Sequence, residues 1–357
     1  MRFKKRRNYL EDIDLFKYRS TAVWYGILLV IMLLLPLKAG TYWTSLMTLT
    51  AIYAIVALGM NLLTGYAGQI SMGHAAFFAV GAYTAAFFTG MGISFWVALP
   101  VGGILAAFLG IFIGMPALRM KGLYLAIATM GFGFIMEQVI SSWVYVTNGV
   151  NGRQLGRPTL GPIDFSSDKF YFYLVFFVLL IMLLIMKNIL RTPTGRAMTA
   201  VRDSEVAAES MGVNLAVYKT AAFAISALYA GIAGSLFAHH MRFIGPENFD
   251  VTVSINFLIM IIIGGMGSVH GSIFGAMFMT LLPEMIALGK DYLPTAIGQQ
   301  SGLQGTVYGV LLVLFVLFEP LGIYGRWLKV KFFFETFPFY KKDTFKRIRK
   351  YTKSEGH

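Results

Sequence analysis

The polar residues best suited to handling a small solute lie in NLLTGYAGQISMGHAAFFAVGAYTAA, residues 61–86. Asn61, Gln69, Ser71 and His74 sit among Gly65, Gly68, Gly73 and Gly81 inside an otherwise apolar stretch. Amides, a hydroxyl and an imidazole can hydrogen-bond a polar or zwitterionic group without carrying a fixed charge into apolar surroundings. Glycine breaks at membrane depth occur where backbone is buried in protein or lines a cavity, and transport sites are often built this way. Asn61, Gly65, Gly68, Gln69, Ser71, Gly73 and His74 are therefore the candidates for shaping a translocation path. Close helix packing by small residues, as at Gly81 with Ala85, is the competing account of the same glycines. Taken alone, His74 reads as a hydrogen-bonded structural residue.

Catalysis finds little support elsewhere. Five histidines are scattered, cysteine is absent, and His239 and His240 are adjacent, so they point different ways on a helix. No catalytic or metal-binding cluster is expected. The chain also lacks GxxxxGK[ST], so any ATP hydrolysis must take place on a partner. An intramembrane acid is a functional candidate by default, but Glu137 and Glu319 lie near the ends of apolar runs, which weakens the case for each. A second glycine stretch, IIIGGMGSVHGSIFGAM (261–277), spaces Gly267, Gly271 and Gly275 four residues apart. That spacing forms one smooth helix face and predicts close approach of a neighbouring helix.

A different chemistry is carried by RTPTGRAMTAVRDSEVAAESMGVNLA (191–216), a polar island between hydrophobic runs. Small or apolar residues recur at Ala197, Val201, Ser204, Ala208 and Met211, one face at helical spacing. Arg196, Arg202, Asp203, Glu205 and Glu209 take other positions, too many charges to insert at about 2.5–3.5 kcal/mol each. Thr194 is the expected cap and Gly212 the expected stop. The pattern predicts a short amphipathic helical hairpin on the membrane surface, where a soluble partner would grip; an ordinary solvated loop is the plainer reading.

The elements that must position these groups are membrane helices. Of 357 residues, 57% are hydrophobic and 13% charged, about half the usual charged share of roughly 25%. Apolar runs fall near 22–38, 42–64, 69–90, 94–117, 122–142, 170–190, 217–239, 251–268, 270–288 and 303–325. The fold class is all-α, a polytopic membrane protein with about ten crossings (eight to ten) and glycine-broken helices. The run from Ala22 to Leu37 has no small-residue cleavage site and is read as a retained first span. The organisation is a basic tail (1–21), a transmembrane domain (22–325) and a second basic tail (326–357). Ten crossings put both tails, 118–121 and 187–219 on one side, with 24 of the 30 Lys and Arg residues. By the positive-inside rule that side is the cytoplasm. The net charge of +13 thus suits membrane lipid, and nucleic acid is not expected. The longest outer loop, 143–169, holds NGVNGR (148–153) and GRPTLGP (156–162), turn formers at the mouth.

Four passages give a resemblance: GYAGQISMGHAAFFAVGAYTAA (65–86), GLYLAIATMGFGFIMEQV (122–139), TNGVNG (147–152), and the block from TPTGRAMTAVRDSEVAAESMGVN (192–214) to IGGMGSVHGSIFGAMFMTLLPE (263–284). The chain resembles the permease subunits of branched-chain amino acid ABC importers, of LivM rather than LivH type, with a type II-like fold. The resemblance implies a bacterial inner-membrane protein with both termini cytoplasmic. It also implies a second, LivH-type permease, two cytoplasmic ATPase subunits holding ATP and Mg, and an extracytoplasmic substrate-binding protein. No cofactor is expected on this chain. Residues 192–214 become the coupling loop, with Gly195, Arg196, Arg202, Asp203, Glu205, Ala207, Ala208, Glu209 and Gly212 as its candidate residues. The family's Glu-Ala-Ala-x-x-x-Gly pattern is matched at Ala207, Ala208 and Gly212, whereas Val206 stands where the glutamate is expected and Glu205 one residue earlier. Relatives carry leucine, isoleucine and valine, and the same architecture serves urea, short amides and other amino acids. A proton- or sodium-driven secondary transporter remains the alternative, and it would need a buried carboxylate in a broken helix. A membrane enzyme lacks its catalytic cluster, and a structural scaffold leaves the glycine-broken 61–86 segment without a role.

Overall fold

The computed structural model describes residues 19–290 except 119, 121, 161–162 and 166, then scattered positions from 306 to 317, then 322–336. The N-terminal tail through residue 18, Glu319, most of the run at 303–325 and the tail beyond 336 lie outside the described residues. The architecture is all-α. Seven helices among the described residues are long and apolar enough to cross a membrane, and Val23–Lys38 is a shorter apolar helix.

In chain order, α1 (Arg19–Lys38) and α2 (Thr41–Asn61) are followed by a π turn, Leu62–Tyr66, and a non-helical stretch before α3 (His74–Gly90). The helix expected from residue 69 thus begins at His74, because Gly68 takes a left-handed φ of 71° that no continuing helix accommodates. Next come α4 (Phe95–Ala117), α5 (Leu123–Ser142), the single turn α6 (Val144–Thr147) and α7 (Asp168–Arg191). The short α8 (Pro193–Asp203) and α9 (Glu205–Ser210) precede α10 (Leu215–Met241), α11 (Val251–Gly264), α12 (Val269–Lys290) and α13 (Gly322–Thr336). Helix α13 therefore carries the first part of the expected C-terminal tail.

Helices α2 and α10 form the centre: 72% of the apolar window is buried in each, against 22% in α5. Around α10 the packing is backbone on backbone. A Cβ on Gly81 of α3 would collide with the Gly231 carbonyl, and one on Gly234 would collide with the Phe78 carbonyl. On α4, Gly102 meets Ser235, and Gly110 meets Ala227 and Phe223. Ser235 Oγ donates across the seam to the Gly81 carbonyl at 2.9 Å. Lipid offers no hydrophobic force to hold helices together, so close approach and interhelical hydrogen bonds must do it.

The stretch 67–73, the turn at 265–268 and α8–α9 lie at one end of the bundle, as the contact of Arg202 with Gly65, Gly68 and Gly267 shows. At the other end the described residues of the 143–167 connection carry short paired strands. Strand β1 (Arg153–Gln154) pairs antiparallel with β4 (Phe243–Ile244), and β2 (Thr159–Leu160) pairs antiparallel with β3 (Ile163–Asp164). Arg157 is paired with Asp168 there, and the Arg153 guanidinium lies over Phe87.

Candidate functional site

Six elements converge on the break between α2 and α3. Asn61, at the end of α2, is buried and uses its whole amide. Its Nδ2 donates to the Ser268 carbonyl at 2.7 Å and to Ser272 Oγ at 2.8 Å, and its Oδ1 accepts from the Gly267 amide at 2.8 Å. Gly65 is pressed between Asn61 Oδ1 and the Gly267 amide, where no Cβ fits. Thr64 Oγ1 donates to the Gln69 carbonyl at 3.1 Å, closing the turn on itself.

Beyond the turn, each membrane helix alongside supplies a hydroxyl. Thr129 of α5 accepts from the Met72 amide at 3.0 Å, and Ser254 of α11 accepts from the Ala75 amide at 2.8 Å. His74 is fully buried between Ser71 Oγ at 3.0 Å and Ser226 Oγ of α10 at 2.6 Å. Gly73 lies directly on the Thr129 carbonyl. One orphan donor in the first turn of α3, the Ala75 amide, and the Met72 amide just before it are thereby satisfied by side chains from other helices. Gln69 differs from its neighbours: it is buried, and neither amide atom has a hydrogen-bond partner among the described residues. A buried amide without hydrogen bonds costs several kcal/mol in the least favourable case.

On the surface beneath, Thr192 rather than Thr194 precedes α8, because Pro193 occupies the first helical position. The inward face also differs from the expected one. Gly195, Met198, Val201 and Ala208 are buried, whereas Ser204 and Met211 are exposed, Met211 to 84%. Ser204 breaks the helix, and its hydroxyl caps α9 by accepting from the Ala207 amide at 3.2 Å. That break resets the helical phase, which a single stripe drawn from 197 to 211 assumes to be continuous. Gly195 lies against Leu190 and Ile189 at the end of α7, and Arg196 donates to the Arg191 carbonyl at 3.0 Å. Gly212 ends the hairpin with a left-handed φ of 83°.

Glu205 pairs with Lys219, a lysine buried just inside α10. An open cavity of about 500 Å³ lies beside them, lined by Leu118, Glu205, Glu209, Gly212, Leu215 and Lys219. Val206 (74% exposed) and Met211 stand free next to it.

Arg202 joins the two regions. Its Nη1 donates to the Gly65 carbonyl at 2.8 Å, while Nε and Nη2 hold Asp203. The helical face expected of Gly267, Gly271 and Gly275 is corrected in part: Gly267 precedes α12 in a turn, with φ 74°, against the Arg202 guanidinium. Gly271 and Gly275 do pack closely, on the backbone of Gly264 and Met260 in α11. The partners missed in the sequence are Thr129, Lys219, Ser226, Ser254 and Ser272. Lys219 alone left a signal, as a single charge inside the apolar run 217–239. His239 packs on Phe95 and His240 on Tyr171, and no group of three metal-binding side chains occurs among the described residues.

Residues 42–316 match the family of branched-chain amino acid transport system permease components. The high-affinity branched-chain amino acid permease protein LivM of Escherichia coli K12 is 34% identical over 321 residues, covering 83% of this chain and 73% of the relative. The probable LivM of Methanocaldococcus jannaschii is 24% identical, covering 76% and 90%. LivH of Salmonella typhimurium is 26% identical, covering 78% and 93%. No solved structure matches.

Proposed function

Because the chain belongs to the branched-chain amino acid transport permease family, we propose that it forms half of the membrane path of an ATP-driven importer for leucine, isoleucine and valine. The observation that carries this reading is the pair α8–α9, a charged, partner-ready surface seated directly on the glycine break. Energy comes from separate ATPase subunits that grip Val206, Met211 and the acidic cavity beside them. A LivH-type permease completes the path, and an extracytoplasmic binding protein delivers the amino acid over the 143–167 connection. Asn61, Ser71 and His74 fix the backbone of the break, and Gln69 supplies an amide to the passing solute. Both termini lie in the cytoplasm, in the inner membrane of a bacterium. Alternating access then follows from rocking of one helical group against another.

Purification from native membranes in mild detergent, with mass spectrometry of what is retained, tests the assembly. Stoichiometric recovery of an ATPase and a second permease is expected. Replacing Glu205–Gly212 with a flexible Gly/Ser linker should leave the chain inserted and abolish ATP-driven uptake. Recovery of this chain alone, transporting under an ion gradient, would overturn the reading in favour of a secondary transporter.

A further inference from the structure

The turn Gly65–Gly68 and the turn Gly265–Ser268 come from helices about 200 residues apart in sequence, yet both end on one guanidinium. Arg202 Nη1 donates to the Gly65 carbonyl at 2.8 Å and lies 3.3 Å from where a Gly267 Cβ would stand. The stem of the same arginine fills the place of a Gly68 Cβ, with Cγ only 2.9 Å from it. Asn61 binds the two turns together from the membrane side. The junction is thus closed above by an amide fixed within the bundle and below by an arginine on a surface helix.

We propose that Arg202 is the positioning residue through which the surface helices act on the inner mouth of the path. The inference rests on the reading that α8–α9 dock an ATPase. A charge-assisted hydrogen bond to a backbone carbonyl is strong and directional, so a displacement of α8 by an ångström or two must either drag the 65–68 turn or release it. Thr129, Ser226 and Ser254 hold the far side of the break from within the membrane. Movement at Arg202 therefore bends the segment between Gly65 and Gly73 instead of carrying it bodily. Gln69, whose amide has no hydrogen-bond partner among the described residues, lies in that bent segment.

Two measurements on the purified complex in liposomes test this. In the first, uptake of labelled leucine, isoleucine and valine is compared with ATP hydrolysis for Arg202→Ala and Arg202→Lys. Arg202→Ala should retain the ATPase and its hydrolysis but lose about tenfold or more in uptake per ATP, the scale of one charge-assisted hydrogen bond. Arg202→Lys, which keeps one cationic donor, should recover a clear part of it. Unchanged uptake per ATP in Arg202→Ala overturns the proposal, as does equal loss in both variants. In the second, Gln69→Cys is the single cysteine of a chain that has no other, and its labelling by a small thiol reagent is followed with Arg202 present and in the Arg202→Ala background. Position 69 is buried in this arrangement, so labelling should be slow without nucleotide and rise several-fold with ATP and vanadate. In the Arg202→Ala background that rise should be lost. An equal rise with and without Arg202, or no rise in either, means a static brace and refutes the inference alone; absence of any ATPase from the wild-type complex refutes the docking reading on which it rests.

Discussion

The seam at Gly81 and Gly234 is closed by backbone carbonyls, whereas the first atoms met at Gly65 and Gly68 belong to side chains, Asn61 and Arg202. In the seam, carbonyls of one helix occupy the space where Cβ atoms of the next would stand, and Ser235 bridges it. At the break, Asn61 and Arg202 occupy that space with groups that hydrogen-bond. The same residue type therefore has two uses. Interlocked backbone cannot separate without opening voids, so the seam is suited to be a rigid body. Hydrogen-bonded side chains can exchange partners, so the break is suited to change shape. Packed regions with discrete arrangements, not continuously deformable ones, are what convert small displacements into large ones.

Substitutions can break this contrast. The largest effect is expected for Gly234→Val, whose side chain meets the Phe78 backbone. Overpacking costs typically about 1–3 kcal/mol where side chains can yield, and a backbone carbonyl yields least. Loss of monodisperse protein, or a much lower melting temperature in detergent, is the expected result; a protein that melts normally would show that the seam is not rigid. Gly68→Ala should be intermediate. Its left-handed φ costs about 1 kcal/mol and the arginine stem must shift, so melting should fall slightly while uptake falls several-fold with the ATPase still bound. A melting loss as large as that of Gly234→Val would make the break one more packing site. The smallest effect is expected at Gly131 on α5, where an added Cβ meets nothing within 4 Å. Gly131→Ala should leave the isolated chain as stable or raise it by up to about 1 kcal/mol through helix propensity. If it lowers recovery of a second permease, that open face of α5 belongs to the interface between permeases.

Much of this was legible in the residues. Apolar runs such as 170–190 and 217–239 announced their helices, since each needs only enough contiguous apolar length to cross a bilayer. The polar island announced itself by the cost of inserting its charges, and Gly68 marked the break. The sequence misled where the backbone changes phase. A single stripe from Ala197 to Met211 assumed one helix, but Ser204 interrupts it and leaves Met211 exposed. Likewise the four-residue spacing of Gly267, Gly271 and Gly275 implied one face, but Gly267 is in the preceding turn.

Element type, the place of the surface hairpin and the place of the break were determined by the sequence alone, because transfer free energy and helical period are properties of contiguous residues. Which groups meet was decided only by the tertiary structure. His74 finds Ser226 across 152 residues, Asn61 finds Ser272 across 211, and Arg202 finds Gly65 across 137. Those pairings depend on where helices cross and how near their backbones come, and that is set jointly by small residues on segments far apart in the chain.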